Sequence, residues 1–170
     1  MPDPQGILDL ATRAALAAGA LLADRFGGPA SGLAAKSSRT DLVSDADRES
    51  EDLLLGMIRR ERPGDAILSE ESGGATGGGL SWVVDPLDGT INYLWGIPQW
   101  CVSVACLDAA GGLAGVVHDP CRGETFRALR GVGAWLGDEP LRLEPGGPLA
   151  EALVGTGFGY DAARRRRQAE

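Results

Sequence analysis

The spacing of the apolar residues changes once along this chain, and that change limits the available folds more than any other feature. Up to Arg62 apolar side chains recur every three or four residues, whereas from Ala66 onward they alternate. A segment with helical spacing cannot present one buried face as a strand, nor the reverse, so two helices must precede a run of strands. The first helix is expected over residues 4–26, with Ile7, Ala11, Ala14, Ala18 and Leu22 on its inner side. Asp3 supplies an N-cap oxygen, Pro4 suits the first helical position, and Gly27-Gly28 can take the left-handed turn that stops it. The polar stretch 31–41 reads as a loop. Ser44 opens the second helix, with Asp47 three residues on as in a capping box. Its expected inner stripe is Ala46, Ser50, Leu53, Leu54, Met57 and Ile58, and Arg62-Pro63-Gly64 ends it.

Strands are expected at residues 66–69, 81–84, 100–107, 113–117 and 124–129, with a short piece near Leu141. Residues 73–79 contain five glycines. No Lys-Ser/Thr follows them, so they read as a mobile linker between strands and not as a phosphate-cradling loop. Two helices ahead of mostly antiparallel strands give an α+β domain, with the helices packed on the sheet. The Pro- and Gly-rich residues 145–148 mark a boundary. The expected division is a first domain over 1–148 and the start of a second over 149–170, with a new strand at 152–156 and a new helix from 161.

Sixteen basic against 24 acidic side chains leave a net charge of −8, which disfavours a nucleic-acid polymer as partner because phosphate contacts need clustered cations. The run Arg164 to Arg167 is the exception and reads as a solvated helix face. No apolar run approaches the roughly 20 residues that span a bilayer, and Asp3 and Asp9 stand where a secretory signal has its basic start. The expectation is a cytoplasmic protein without a membrane partner. Cys101, Cys106 and Cys121 are odd in number and show no C-x-x-C spacing, so they read as reduced structural thiols. His118, the single histidine, falls at a strand end before Asp119-Pro120 and reads as a turn cap more readily than as a general base.

The chemistry concentrates in Asp85-Pro86-Leu87-Asp88-Gly89-Thr90-Ile91-Asn92, directly after the apolar strand Trp82-Val83-Val84. Two carboxylates about 4 Å apart repel by about 1 kcal/mol in water and several-fold more when partly buried, so Asp85 and Asp88 together call for a cation or a shared proton. Hard oxygen ligands point to magnesium. The backbone N–H groups of Gly89 and Thr90, at a helix start, suit a phosphate. Glu70-Glu71 ends the preceding strand and meets Asp85 if the two strands pair. The plain alternative is that the aspartates only cap the short helix reaching Trp95, but a cap needs one such residue and not two.

Glu70-Glu71-Ser72 followed by Trp82-Val83-Val84-Asp85-Pro86-Leu87-Asp88-Gly89-Thr90-Ile91-Asn92 resembles the signature of the inositol monophosphatase family, magnesium-dependent and lithium-sensitive phosphomonoesterases. Lys36, Asp41-Leu42-Val43-Ser44 and Asp47 resemble the family's flexible loop and second-helix start, and Gly131-Val132-Gly133-Ala134-Trp135 its G-x-G-A turn. The resemblance implies that Glu70, Asp85, the Leu87 carbonyl and Asp88 ligate magnesium, two or three ions in all, with Asp85 bridging. It implies that Thr90, paired with Asp47, orients the attacking water, that Glu70 helps hold that water, and that Asp88 with the Gly89 and Thr90 amides meets the substrate phosphate. It also implies a homodimer at full length. The family's W-D-x-A-G motif, which carries a further metal-ligating Asp, does not occur here, so the chain is expected to be the N-terminal part of a longer protein or a truncated product. Inside the family the substrate is an inositol phosphate, histidinol phosphate, a sugar bisphosphate or a 3′-phosphorylated nucleotide. The alternative is an inactive fragment that keeps the fold and part of the metal binding.

Overall fold

The computed structural model describes residues 3–29, 31–35, 42–77, 79–143, 146–155, 157 and 162–169. Helix α1 (Pro4–Arg25) starts as its sequence dictates, with Asp3 accepting from the N–H groups of Gln5 and Gly6 at 3.1 and 3.2 Å. By length and mean hydropathy α1 is apolar enough to cross a membrane, although the sequence was expected to hold no apolar run of that length. Its inner face, from Ile7 through Ala11, Ala14 and Ala18 to Leu22, is buried in the protein core. Strands β1 (Ala34–Ala35) and β2 (Leu42–Val43) form a two-residue antiparallel pair at the ends of the stretch expected to be loop. Helix α2 (Asp45–Glu61) follows from the Ser44 cap. Its inner side differs from the expected stripe: Leu55 is buried where Leu53 and Met57 are half-buried, and Asp47 and Glu51 are buried with the apolar residues.

The remaining strands are β3 (Ala66–Ser69), β4 (Gly73–Gly74), β5 (Ser81–Asp88), β6 (Cys101–Asp108), β7 (Gly111–Asp119), β8 (Glu124–Leu129), β9 (Gly133–Leu136) and β10 (Glu139–Pro140). They form one eight-stranded sheet in the order β10-β9-β8-β7-β6-β5-β3-β4, and every neighbouring pair is antiparallel except β3 with β5. The first two glycines of the expected linker thus become an edge strand, and the piece expected near Leu141 is replaced by the hairpin β9–β10 that precedes it. Helix α3 (Thr90–Leu94) interrupts the path from β5 to β6.

Alternation decides which sheet face the helices cover. Trp82, Val84, Val102, Val104, Cys106 and Val116 point to one face and are buried with α1 and α2 in a single core. Phe26, Tyr93 and Trp100 stack in the corner where α1 ends, with centroids 5.0–5.4 Å apart. On the opposite face the register aligns Ala105, Gly115, Ala128 and Ala134 in one row and Ser103, Val117 and Phe126 in the next. These residues, with Leu141, line a shallow apolar groove of about 360 Å³. Residues 152–155 form no strand, and Leu153 is fully exposed. Helix α4 (Ala162–Ala169) carries Arg164 to Arg167 exposed, as expected of a solvated face.

His118 has a structural place. Its Nδ1 lies 3.1 Å from the Glu124 carbonyl and 3.0 Å from the Thr125 hydroxyl, and its ring fills a notch over Gly19, where an added Cβ would meet Cδ2 at 2.4 Å. Burial lowers its pKa below the ordinary 6.5, against the opposing pull of the Glu124 carbonyl and Asp119. Of the three free cysteines, Cys106 is buried, Cys101 half-buried and Cys121 exposed.

Candidate active site

Parallel pairing of β3 with β5 builds the centre of the site. The register sets Ser69 beside Val84, and the Glu70 N–H donates to the Val84 carbonyl at 3.1 Å. Glu70 therefore leaves β3 alongside Asp85 on β5. Alternation puts Asp85 in register with Ser103, on the face away from the helices. The Asp85 carboxyl lies within hydrogen-bonding reach of Glu70. Burial, that contact, the Glu70 charge and the nearby Asp88 charge push the Asp85 carboxyl up to about 8. Like charges forced together in a half-buried place are stabilised by a proton or a cation.

Beyond Asp85 the ladder slips, and Asp88 pairs with Cys101 after a bulge that accommodates Pro86. The Leu87 N–H donates to Asp85 at 3.1 Å, and the Leu87 carbonyl accepts from the Thr90 hydroxyl at 3.1 Å. Asp88 lies across from Cys101. Its Oδ2 accepts from the Cys101 thiol at 3.7 Å, and it borders a cavity of about 420 Å³ with Gly89, Asn92, Trp100 and Arg122. Burial, together with the Asp88 and Asp85 charges, pushes the Cys101 thiol up to about 12, so it stays protonated and keeps its hydrogen for Asp88. Gly89 takes φ +92°, and a Cβ there would meet the Gln99 carbonyl at 2.9 Å, so the return to β6 requires glycine. No side chain caps α3 at Gly89. Asn92 donates to the Gln99 carbonyl at 2.7 Å and closes the same loop.

Asp47 reaches this centre from α2. Its carboxylate is fully buried, accepts from the Ser44 N–H at 2.8 Å and from the Ser44 hydroxyl, and accepts from the Thr90 hydroxyl at 3.1 Å. The capping box thus holds Asp47 with one oxygen turned to Thr90. Sequence reasoning missed Glu51, one turn on, which is also buried and accepts from the Ser69 hydroxyl and the Ser72 N–H. Its only sequence signal was an acidic residue four positions after Asp47. Lys36 and Asp41 lie outside the described residues.

The donors fit magnesium in kind: Glu70, Asp85 and the Leu87 carbonyl offer only hard oxygens. Among the described residues no three His, Cys, Asp or Glu side chains gather as a cage. Glu70 and Asp85 come together while Asp88 faces Cys101. A pair is compatible with this ion, which is commonly held by one or two carboxylates plus water and substrate phosphate.

A sequence model described as the inositol monophosphatase family matches residues 3–170. The chain is 40% identical over 164 residues to the inositol-1-monophosphatase of Synechocystis, covering 95% of this chain and 57% of that protein. It is 38% identical over 160 residues to the Nus factor SuhB of Pasteurella multocida, covering 93% of this chain and 60% of that one. The solved inositol monophosphatase of Anabaena superposes with a TM-score of 0.78 at 37% identity, over 96% of this chain and 58% of that structure. The chain therefore spans somewhat more than half the length of the relatives it matches.

Proposed function

Because the chain belongs to the inositol monophosphatase family, we propose that it carries the metal- and phosphate-binding half of a magnesium-dependent phosphomonoesterase in which water is the nucleophile. The observation that carries this reading is the meeting of Glu70 and Asp85 at the ends of parallel strands, joined through Leu87 to the Thr90–Asp47 hydrogen bond. Bound magnesium supplies charge neutralisation at the phosphoryl oxygens and acidifies water. Glu70, Asp85, Asp88 and the Leu87 carbonyl are the groups that would hold the metal.

The protein's own groups supply orientation. Thr90 has one proton, and Asp47 is the stronger of its two acceptors because it is charged. With that proton committed, the Thr90 oxygen keeps a lone pair that accepts from a water molecule and turns the water's remaining lone pair toward phosphorus. The amides of Gly89 and Thr90 receive the phosphate, and the cavity beyond Asp88 takes the alcohol portion of a small substrate. The family's substrates are the candidates for that alcohol. A cytoplasmic location and a homodimer at the relatives' length complete the proposal.

A second reading, a retained fold without turnover, is favoured by the absence of a three-acid cage among the described residues. Phosphate release from a panel of phosphomonoesters, with and without magnesium and with added lithium, separates the two. Release that needs magnesium and falls with lithium supports the enzyme, metal-independent release overturns the mechanism, and no release from any ester favours the second reading.

A further inference from the structure

We infer that Glu51 is a positioning residue, which with Ser50 beside it fixes the separation of the two strand ends that carry Glu70 and Asp85. The inference deepens the metal-site reading above and rests on it for its functional meaning. Glu51 is a carboxylate 7% exposed, in the middle of a helix, where an acidic side chain is rarely found without a task. Its Oε1 takes the hydroxyl of Ser69 and, at 2.9 Å, the N–H of Ser72. Those two donors bracket Glu70 and Glu71, so one oxygen closes the turn that presents Glu70. The Glu70 N–H is tied on its other side to the Val84 carbonyl at 3.1 Å.

The neighbouring Ser50 holds the second strand. Its hydroxyl, buried with the rest of that face, donates to the Pro86 carbonyl at 2.8 Å, one residue past Asp85. Adjacent residues of one rigid helix therefore grip β3 beyond its end and β5 at its bulge. Asp47, one turn earlier, grips Thr90. Helical geometry puts positions 47, 50 and 51 on one face, so α2 acts as a template against which three chain segments are set. Partners that orient metal ligands commonly change metal affinity by about 10- to 100-fold when removed.

The test compares Glu51→Gln and Glu51→Ala in the whole chain by two readouts, amide hydrogen exchange without metal and magnesium affinity by calorimetry. The glutamine keeps a carbonyl oxygen for both donors and loses only charge. Positioning predicts that Glu51→Gln keeps Ser72 and Glu70 exchange and magnesium affinity close to those of the unaltered chain. Glu51→Ala should speed exchange at both amides and lower magnesium affinity by at least about tenfold. Ser69→Ala, which deletes one donor and leaves the helix untouched, gives a smaller effect in the same direction and serves if Glu51→Ala does not fold. Unchanged exchange in Glu51→Ala, or in Ser69→Ala where that variant stands in, overturns the inference. A loss in Glu51→Gln equal to that in Glu51→Ala also overturns it, since charge and not geometry would then be at work. If the unaltered chain takes up no magnesium, the metal-site reading fails, and the exchange measurements alone decide the role of Glu51.

Discussion

Thr90 has one proton to give and two oxygens within 3.1 Å to receive it, those of Asp47 and Leu87. That economy makes its hydroxyl the most informative single group to remove. Thr90→Val keeps the shape and should lower magnesium-dependent phosphate release by at least about a hundredfold, the low end for a positioned proton-handling group. Its urea midpoint should stay close to that of the unaltered chain, and a variant that turned over at the original rate would remove Thr90 from the mechanism. His118 gives a prediction about pH. Its pKa in the folded state is lower than the unfolded 6.5, so the unfolded chain binds the proton more readily. The contribution is fully present above pH 6.5 and is lost as pH falls below it. His118→Asn, which keeps a donor for the Glu124 carbonyl, should flatten the fall in stability between pH 7.5 and 5.5, read by urea denaturation. An unchanged slope would show that other groups set it.

At the scale of the elements, two helical glycines separate propensity from packing. Gly56 lies in α2 with open space where a Cβ would stand, while a Cβ on Gly19 in α1 would meet the His118 ring at 2.4 Å and Pro120 at 2.9 Å. Gly56→Ala should stabilise the fold by about 0.5–1 kcal/mol. Gly19→Ala should instead destabilise it by about 1–3 kcal/mol, because His118 is pinned by its hydrogen bonds and cannot yield. Equal shifts in thermal midpoint would contradict the packing described for α1. The same contrast explains what was legible in the sequence. The two helices and the long strands followed from period and caps, because those signals are local. The parallel pairing of β3 with β5 was not local, and it alone decides that Glu70 meets Asp85. The bulge between Asp85 and Asp88, which sends Asp88 toward Cys101, belongs to the pairing of β5 with β6, and the burial of Glu51 depends on the turn after β3; neither is local either. The edge strand at Gly73–Gly74 escaped detection because a two-residue glycine strand has no side-chain pattern.

Over the whole molecule, one face of the sheet is covered by helices and the other carries the apolar groove of Ala105, Gly115, Val117, Phe126 and Ala128. Val117 and Phe126 are each more than a third exposed. An open apolar face of this kind promotes association. The chain should scatter light increasingly with concentration, and Phe126→Lys should reduce that scattering; a monodisperse monomer at every concentration would contradict it. The central claim concerns the carboxylates that meet at the ends of β3 and β5, and calorimetric titration of magnesium into the chain and its Asp85→Asn variant tests it most directly. The account predicts uptake by the unaltered chain and at least about a tenfold weaker affinity in the variant, a difference of about 1.4 kcal/mol. No uptake, or equal affinity in the two proteins, would contradict it.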